Sequence, residues 1–501
     1  MADGRALPGS FLYADDSSTR LLSAAAHLEE EFALETAVEL TEDRLEALGP
    51  SLGLGLVAVA RHARAAVRRT TVRDACLTGL LALFAGFVCL GGYGIQVQRG
   101  ELLGRSLAGI AGTFAAAWLV VLATERRARA RALELITDPT PPEGLAPPLD
   151  PAVEARLREQ ERANAVPYHE SAERDSPFVG SGVEVQSRVW QPIDVSTPAA
   201  SPSGGDPLTI VPFDVVDLHA FVAGEMGNIA GLEGLRTQER LYVLGTRVQY
   251  AGEELLPDQL RRPRAVVPPE RVRTGLVRPG AGVRTYLCLE RAGEGGRVVA
   301  TLFLRARLQH PGLTWEVAAY VVPPLRTDFE RVRTLSVDAL GRWWTLLTFT
   351  GRRFLPALFR SPARLLGKGW GRATRGLRLW WQRWTVDKRH IEFDYGATDS
   401  IRAKAGDWQR VGFSERTDAV DFLQRLQQGV LTATERFLKA HNIDTSSFDQ
   451  AQQIINHHSY TFQGPINGPG NYGSGGTVVT GGPGSAPAPG GPGPAPAPAK
   501  P

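Results

Sequence analysis

Few residues in this chain stand at spacings that support chemistry. His219 follows Asp214 and Asp217 and could be an acid–base group near those carboxylates, but no nucleophile motif accompanies it. Cys288 lies between Leu287 and Leu289; in a strand it would face away from both, and a packed thiol is favoured over a nucleophile. His457 and His458 could ligate a metal, yet adjacent side chains diverge and no cysteine or carboxylate cluster surrounds them. Gly180-Ser-Gly182 lacks the third glycine of a dinucleotide fingerprint and reads as a turn. Gly367-Lys368-Gly369 lacks both the upstream glycine and the hydroxyl residue of a phosphate loop. Cys76, Cys89 and Cys288 are too far apart for a zinc cluster, and two of them lie in an apolar run, which disfavours a disulfide framework. No catalytic or metal residue and no cofactor is therefore assigned. A non-enzyme is favoured, with a membrane-tethered enzyme of unrecognised class left open.

The stronger chemical signal is a block of arginine and tryptophan. Residues 342–389 hold 12 Lys or Arg against one acid, Asp387, and six of the ten Trp. Arginine attracts anionic headgroups and tryptophan prefers the headgroup boundary. The membrane-interface candidates are Arg342, Trp343, Trp344, Arg352, Arg353, Trp370, Arg372, Arg375, Arg378, Trp380, Trp381 and Trp384. The competing arrangement packs the tryptophans on a soluble domain and turns the arginines to water. The same composition suits nucleic acid, where arginine neutralises phosphate and tryptophan stacks on bases, but no recognised binding motif accompanies it, so that partner is disfavoured. Pro356 and Pro362 are expected to divide the block into separate helical pieces.

Something must hold that block near a surface. Ala75–Gln98 and Ser106–Thr124 are uncharged runs of 24 and 19 residues, and about 20 helical residues cross a bilayer core. A transmembrane helical hairpin is predicted. Arg61, Arg64, Arg68, Arg69 and Arg73 precede it and Arg126, Arg127, Arg129 and Arg131 follow it, whereas the loop has only Arg99 and Arg105 with Glu101. This bias predicts a multi-pass cell-membrane protein with both termini cytoplasmic. Neither span carries an internal charge, which disfavours transport. Gly104, Ala108, Gly112 and Ala116 form a small-residue stripe, as do Ala75, Gly79, Ala82 and Gly86. Packing within the hairpin is preferred for them over homo-oligomerisation.

The rest of the chain divides by composition. Residues 1–73 are an acidic helical region, net −8 over the first 60, followed by a basic segment at Leu52–Arg73 that could extend the first span or lie on headgroups. The hairpin occupies 74–125. Residues 126–164 form a linker, proline-rich and charged over 138–160, that is irregular or a short helical spacer. Residues 165–335 are expected to form an α+β domain. In it Tyr286–Glu290, Val298–Leu308 and Thr314–Val322 alternate as strands of an antiparallel meander joined at Gly293–Gly296 and His310–Gly312. Val183–Trp190 and Leu241–Leu244 suggest further strands, and Val215–Gly224 a helix. The basic segment covers 336–390. Residues 391–463 are helical, with an amphipathic helix over Asp418–His441 and a short one through Ile455. The Gly/Pro/Ala-rich residues 464–501 cannot form a core and are expected to be disordered. The net charge of +3 thus hides an acidic head and a segment of +11. The averages exclude a collagen, a wholly disordered chain and a disulfide scaffold.

Several stretches, in order, resemble an uncharacterised family of actinobacterial membrane proteins with two transmembrane helices and a cytoplasmic domain. They are Ser176-Pro-Phe-Val-Gly-Ser-Gly182, Val321-Val-Pro-Pro-Leu325, Phe393-Asp-Tyr-Gly-Ala-Thr-Asp-Ser-Ile-Arg402, Phe437-Leu-Lys-Ala-His-Asn-Ile-Asp-Thr-Ser446 and Ile454-Ile-Asn456. The resemblance implies the hairpin and the domain, and no activity or ligand. This chain departs from the family after Asn456, where a short Gly/Val/Ser-rich tail gives way to a longer Pro/Ala-rich one. The partners implied are an anionic lipid bilayer and an unidentified protein.

Overall fold

The computed structural model describes residues 16–448, except 44, 174–175, 202–205, 230–231, 281, 294–295, 336–338, 390–392 and 447. The expected helix through Ile455, the His457-His458 pair and the 464–501 tail lie outside the described residues.

The chain begins with α1 (Ser17–Leu28) and α2 (Glu30–Ala37), the second closing in a π-helical turn, Val38–Glu42. The acidic helical region is not one continuous helix, because Glu29 is extended. Glu30 and Glu31 then open a new helix, where the dipole favours negative charge.

The next helix, α3 (Leu56–Gln96), has 41 residues and α4 (Gly100–Thr137) has 38. Residues 56–78 contain neither glycine nor proline, so nothing interrupts the ladder, and the basic segment extends the apolar run as one rod. Both helices are long and apolar enough to cross a membrane. They meet along Leu77, Gly91, Gly94, Ser106, Thr113 and Ala117. Ser106 Oγ donates to Phe87 O at 2.7 Å, and a Cβ on Gly91 would stand 2.5 Å from Ser106 Oγ. This corrects the expected hairpin packing through Gly104, Ala108, Gly112 and Ala116. Gly104, Ala108 and Gly112 are exposed and Ala116 is half-buried, and a Cβ on Gly104 or Gly112 would meet nothing within 4 Å; Gly79 and Gly86 are equally open. One residue is 100° on a helix, so a stripe a position or two out of phase faces away from its neighbour.

The helical head packs α1 and α2 on the arginine-rich halves of α3 and α4, through Leu22, Val59, Ala132 and Leu135. Arg20 Nη1 donates to Leu135 O and Asp138 O at 3.0 and 2.6 Å, satisfying carbonyls that α4 leaves open at its C-terminus. The proline-rich linker is a helical spacer: a 3₁₀ turn, Pro142–Leu145, then α5 (Pro151–Glu161), capped by the Asp150 carboxylate. It is tied to α3 where Arg61 Nε donates to Glu154 at 2.7 Å.

Then follow β1 (Ala165–Tyr168), α6 (Glu170–Glu173), β2 (Val183–Val189), β3 (Ile193–Asp194), α7 (Val215–Met226), β4 (Arg236–Leu244), α8 (Pro269–Val277), β5 (Val283–Ala292), β6 (Val299–Gln309) and β7 (Gly312–Val322). The sheet order is β1-β4-β5-β6-β7-β2, with β3 also on β7. The expected meander is β5–β7. The domain is not purely antiparallel, because β1 runs parallel to β4. Sequence alternation misses β1 since all four of its residues are buried, and Pro167, which cannot donate to a ladder, suits an edge.

One sheet face carries Leu287, Leu302, Leu304, Trp315 and Val317. It is covered by α7 and by α13 (Phe413–Ala440), whose Leu423, Leu426 and Val430 interdigitate with it. The other face carries Tyr242, Tyr286, Phe303 and Tyr320, into which Phe178 plugs, stacked at 4.0 Å on Phe303. Between β7 and α13 come α9 (Thr327–Glu330), α10 (Ala339–Phe359), α11 (Ser361–Arg389) and α12 (Ile401–Lys404). Pro356 lies inside α10, and the helix axis breaks once, at Arg360, with Pro362 in the first turn of α11. The two prolines therefore mark one break.

Candidate functional site

The arginine/tryptophan block folds as α10 and α11, and the site forms where these helices meet the hairpin. Phe354, Ala357 and Leu358 on α10 pack on Leu77, Phe114, Ala117 and Val121. The elbow then places Ser361 against Thr78, their hydroxyls 3.2 Å apart. From there α11 returns alongside the arginine-rich half of α3: Arg364 and Lys368 meet Asp74, Lys368 meets Thr70, and Arg375 meets Glu42. Contact positions rise on α11 as they fall on α3, so the two helices run antiparallel.

Asp74 is the centre of this arrangement. It stands one residue before the apolar run and is 0% exposed. Its carboxylate accepts from Arg73 Nη2 at 2.8 Å, Lys368 Nζ at 2.9 Å and Arg364 Nη2 at 3.1 Å. Arg73 also reaches Glu30 on α2, joining three helices through one network around the buried Asp74. Such a cluster holds a geometry more than it adds net stability, because desolvation offsets the Coulomb gain.

The remaining predicted residues divide between two sides. On α10, Arg342 occupies the first turn, its side chain outside the described set. Trp343 is half-exposed, with the Arg126 guanidinium 5.3 Å above its ring, and Trp344 is 71% exposed. Arg352 is exposed, and Arg353 lies 4.5 Å over Phe349, which Arg129 approaches at 4.9 Å. On α11, Arg375 pairs with Glu42 at 2.9 Å, Arg378 approaches Glu46 at 3.8 Å, and Arg372 is exposed. Trp370, Trp380 and Trp381 are exposed, and the Trp384 ring lies 6.0 Å from that of Trp381. The competing arrangement, with tryptophans packed on the soluble domain and arginines in water, is thus inverted along α11. Arg375 and Arg378 meet carboxylates of the acidic head, while its exposed tryptophans do not pack on the sheet.

The chemical candidates fall in structural positions. His219 is fully buried, stacks on Trp315, and its Nε2 accepts from Ala306 N at 3.0 Å. Asp214 and Asp217, its presumed carboxylate partners, instead form a capping box on α7. Burial pushes the Cys288 thiol up to about 12, with nearby Arg240 opposing the rise only in part, so it is no thiolate at neutral pH. Gly367–Gly369 lie within α11 and not in a loop. Gly180 and Gly182, at φ +72° and +92°, turn the segment that delivers Phe178. Among the described residues no group of three or more His, Cys, Asp or Glu could hold a metal ion.

Sequence reasoning missed Asp74, Arg364 and Lys368 as a unit. The one visible signal was an acidic residue placed between an arginine flank and an apolar run. It also missed Glu161, whose carboxylate accepts from Val57 N at 3.4 Å at the N-terminus of α3; burial pushes that carboxyl up to about 7 against the helix-end hydrogen bonds.

No curated protein and no solved structure matches the chain. A family model described as the AbeC-like domain matches residues 189–479, more than half of the chain, running from the end of β2 through α10, α11 and α13. The chain belongs to the AbeC-like domain family.

Proposed function

We propose that this protein is a membrane-anchored scaffold or sensor facing the cytoplasm, with α3 and α4 as the anchor and both termini inside. The observation that carries this reading is the surface of the hairpin. Only 11% of the most apolar stretch of α3 and 17% of that of α4 is buried within the protein, whereas the core helix of a soluble protein is covered by its neighbours. The arginine flanks and the pairing of α11 with α3 support the orientation. In this reading α10 and the elbow lie at the inner headgroup boundary, with Trp343, Trp344, Arg352 and Arg353 as interfacial groups. Higher on α11, Trp370, Trp380, Trp381 and Trp384 belong to the cytoplasmic side and suit a protein partner. Nucleic-acid binding has less support, because Arg364, Lys368 and Arg375 are held by carboxylates.

The test uses the full chain in its own membrane. Alkaline carbonate should leave it in the pellet. In a background lacking Cys76 and Cys89, Gln98→Cys should react with a membrane-impermeant maleimide from outside intact cells. Release by carbonate would overturn the anchor, and labelling of Gln98→Cys only after lysis would overturn the orientation.

A further inference from the structure

A groove runs beside α3, between the Pro147–Leu149 segment and α11. Its hairpin-proximal part is about 370 Å³ and continues into a second part of about 420 Å³, both lined by Arg64, Leu149 and Arg372. Such volumes suit a small ligand.

The two parts differ in charge. The upper part contains Glu42, which pairs with Arg64 and Arg375 at 2.9 Å each. The lower part is lined by four arginines and no carboxylate. Two of these, Arg61 and Arg64, are committed to glutamates of the head and spacer. Arg68 and Arg372 are exposed and have no ion-pair partner among the described residues. They approach from different helices, α3 and α11, so the groove brings two uncompensated guanidinium groups to one cleft. Its remaining wall is mostly apolar, with Pro147, Leu149 and Val72 beside Thr71. Val72 is 57% exposed and three residues before the first apolar run.

We propose that the lower groove binds a phosphate-bearing anion, supplied as the headgroup of an anionic membrane phospholipid. Arg68 and Arg372 grip the phosphate oxygens, which guanidinium groups match in a fork geometry. Val72 and Leu149 take the glycerol and the first methylenes, and the acyl chains continue along the exposed face of α3. The chemistry has the form of a basic cleft beside membrane helices on their cytoplasmic side. This inference rests on the membrane reading above.

The experiment is native mass spectrometry of the full chain in non-ionic detergent, titrated with phosphatidylglycerol, phosphatidylcholine or glycerol 3-phosphate. Phosphatidylglycerol should be retained and phosphatidylcholine should not. Arg68→Gln/Arg372→Gln should weaken retention by roughly tenfold or more, as expected for two cations at a surface. Arg127→Gln, an exposed cation on α4 close to the second apolar run and outside the groove, should leave it unchanged. Equal retention of the two lipids, or an unaltered double variant, would overturn the site. Displacement of phosphatidylglycerol by glycerol 3-phosphate at equal concentration would overturn the lipid as its source. A chain that stays in the carbonate pellet but fails here loses only the groove; one released by carbonate loses the anchor.

Discussion

Replacing Asp74 by Asn keeps the shape of the side chain and removes its charge. Three cations then lose a common counter-ion: Arg73, Arg364 and Lys368, at 2.8, 3.1 and 2.9 Å. Breaking a buried ion pair from one side costs about 3–5 kcal/mol. The lower end applies here. Arg73 keeps Glu30, Arg364 is 30% exposed and keeps the Ala357 carbonyl, and only Lys368, at 13% exposure, is left with a single hydroxyl, that of Thr70. A cost of about 3 kcal/mol corresponds to somewhat more than a hundredfold in an opening equilibrium. It should fall on the contact between α11 and α3, since all of the lost bonds lie there or beside it. Hydrogen–deuterium exchange of the full chain in detergent should therefore show faster exchange in residues 361–375, while β5–β7 stay unchanged. Adding Lys368→Met to Asp74→Asn removes the least compensated cation and should return about 1 kcal/mol. Unchanged exchange of α11 in Asp74→Asn would refute the reasoning, and so would a double variant whose costs simply add.

Cys288 should resist maleimide at pH 8 in the folded chain and react once denaturant opens the sheet, because its buried thiol is pushed up to about 12. Glu161→Gln should flatten one component of the pH dependence of stability. A carboxyl raised to about 7 binds its proton more tightly in the folded state. Its contribution is therefore most favourable below the unfolded value and declines as pH rises to about 7. Glu161→Gln should be the more stable at pH 8, by on the order of 1–3 kcal/mol in denaturant titration; an unchanged difference between pH 5 and pH 8 would contradict this. Phe178→Ala empties a box of four aromatic rings and should cost about 3–5 kcal/mol, read as a lowered Tm. A variant that melts like the parent would show that the ring is not held there.

What could be read from the sequence was what local chemistry determines. The meander from Tyr286 to Val322 was legible because glycine turns separate alternating strands, and α13 because its apolar residues recur at helical spacing. The two apolar helices were legible from length alone. What depends on a distant partner was not. Asp74 reads as one acid beside a basic flank until Lys368, 294 positions later, arrives next to it. Gly104 and Gly112 carry the composition of a packing face, but phase decides which face is used, and Ser106 and Ala117 occupy it instead. The aromatic box needed four strands to bring its rings together. The charge asymmetry was visible from counts, yet counts could not tell that the acidic head and the basic block neutralise each other through α3 and α11.

The unbroken course of α3 has a mechanical consequence. From Leu56 to Asp74 the helix is an arm of about 28 Å, its outer end clasped by α1, α2 and α5 and its inner end fixed to α11 at the start of the apolar run. A helix without glycine or proline in that stretch transmits rotation and does not absorb it. With the hairpin in a bilayer as proposed, a tilt of about 10° on a change of thickness, within the range seen for spanning helices, swings the far end by about 5 Å. A displacement of that size is comparable to one helical turn, large enough to repack an interface. Under the proposed anchoring the hairpin would then act as a gauge of bilayer thickness.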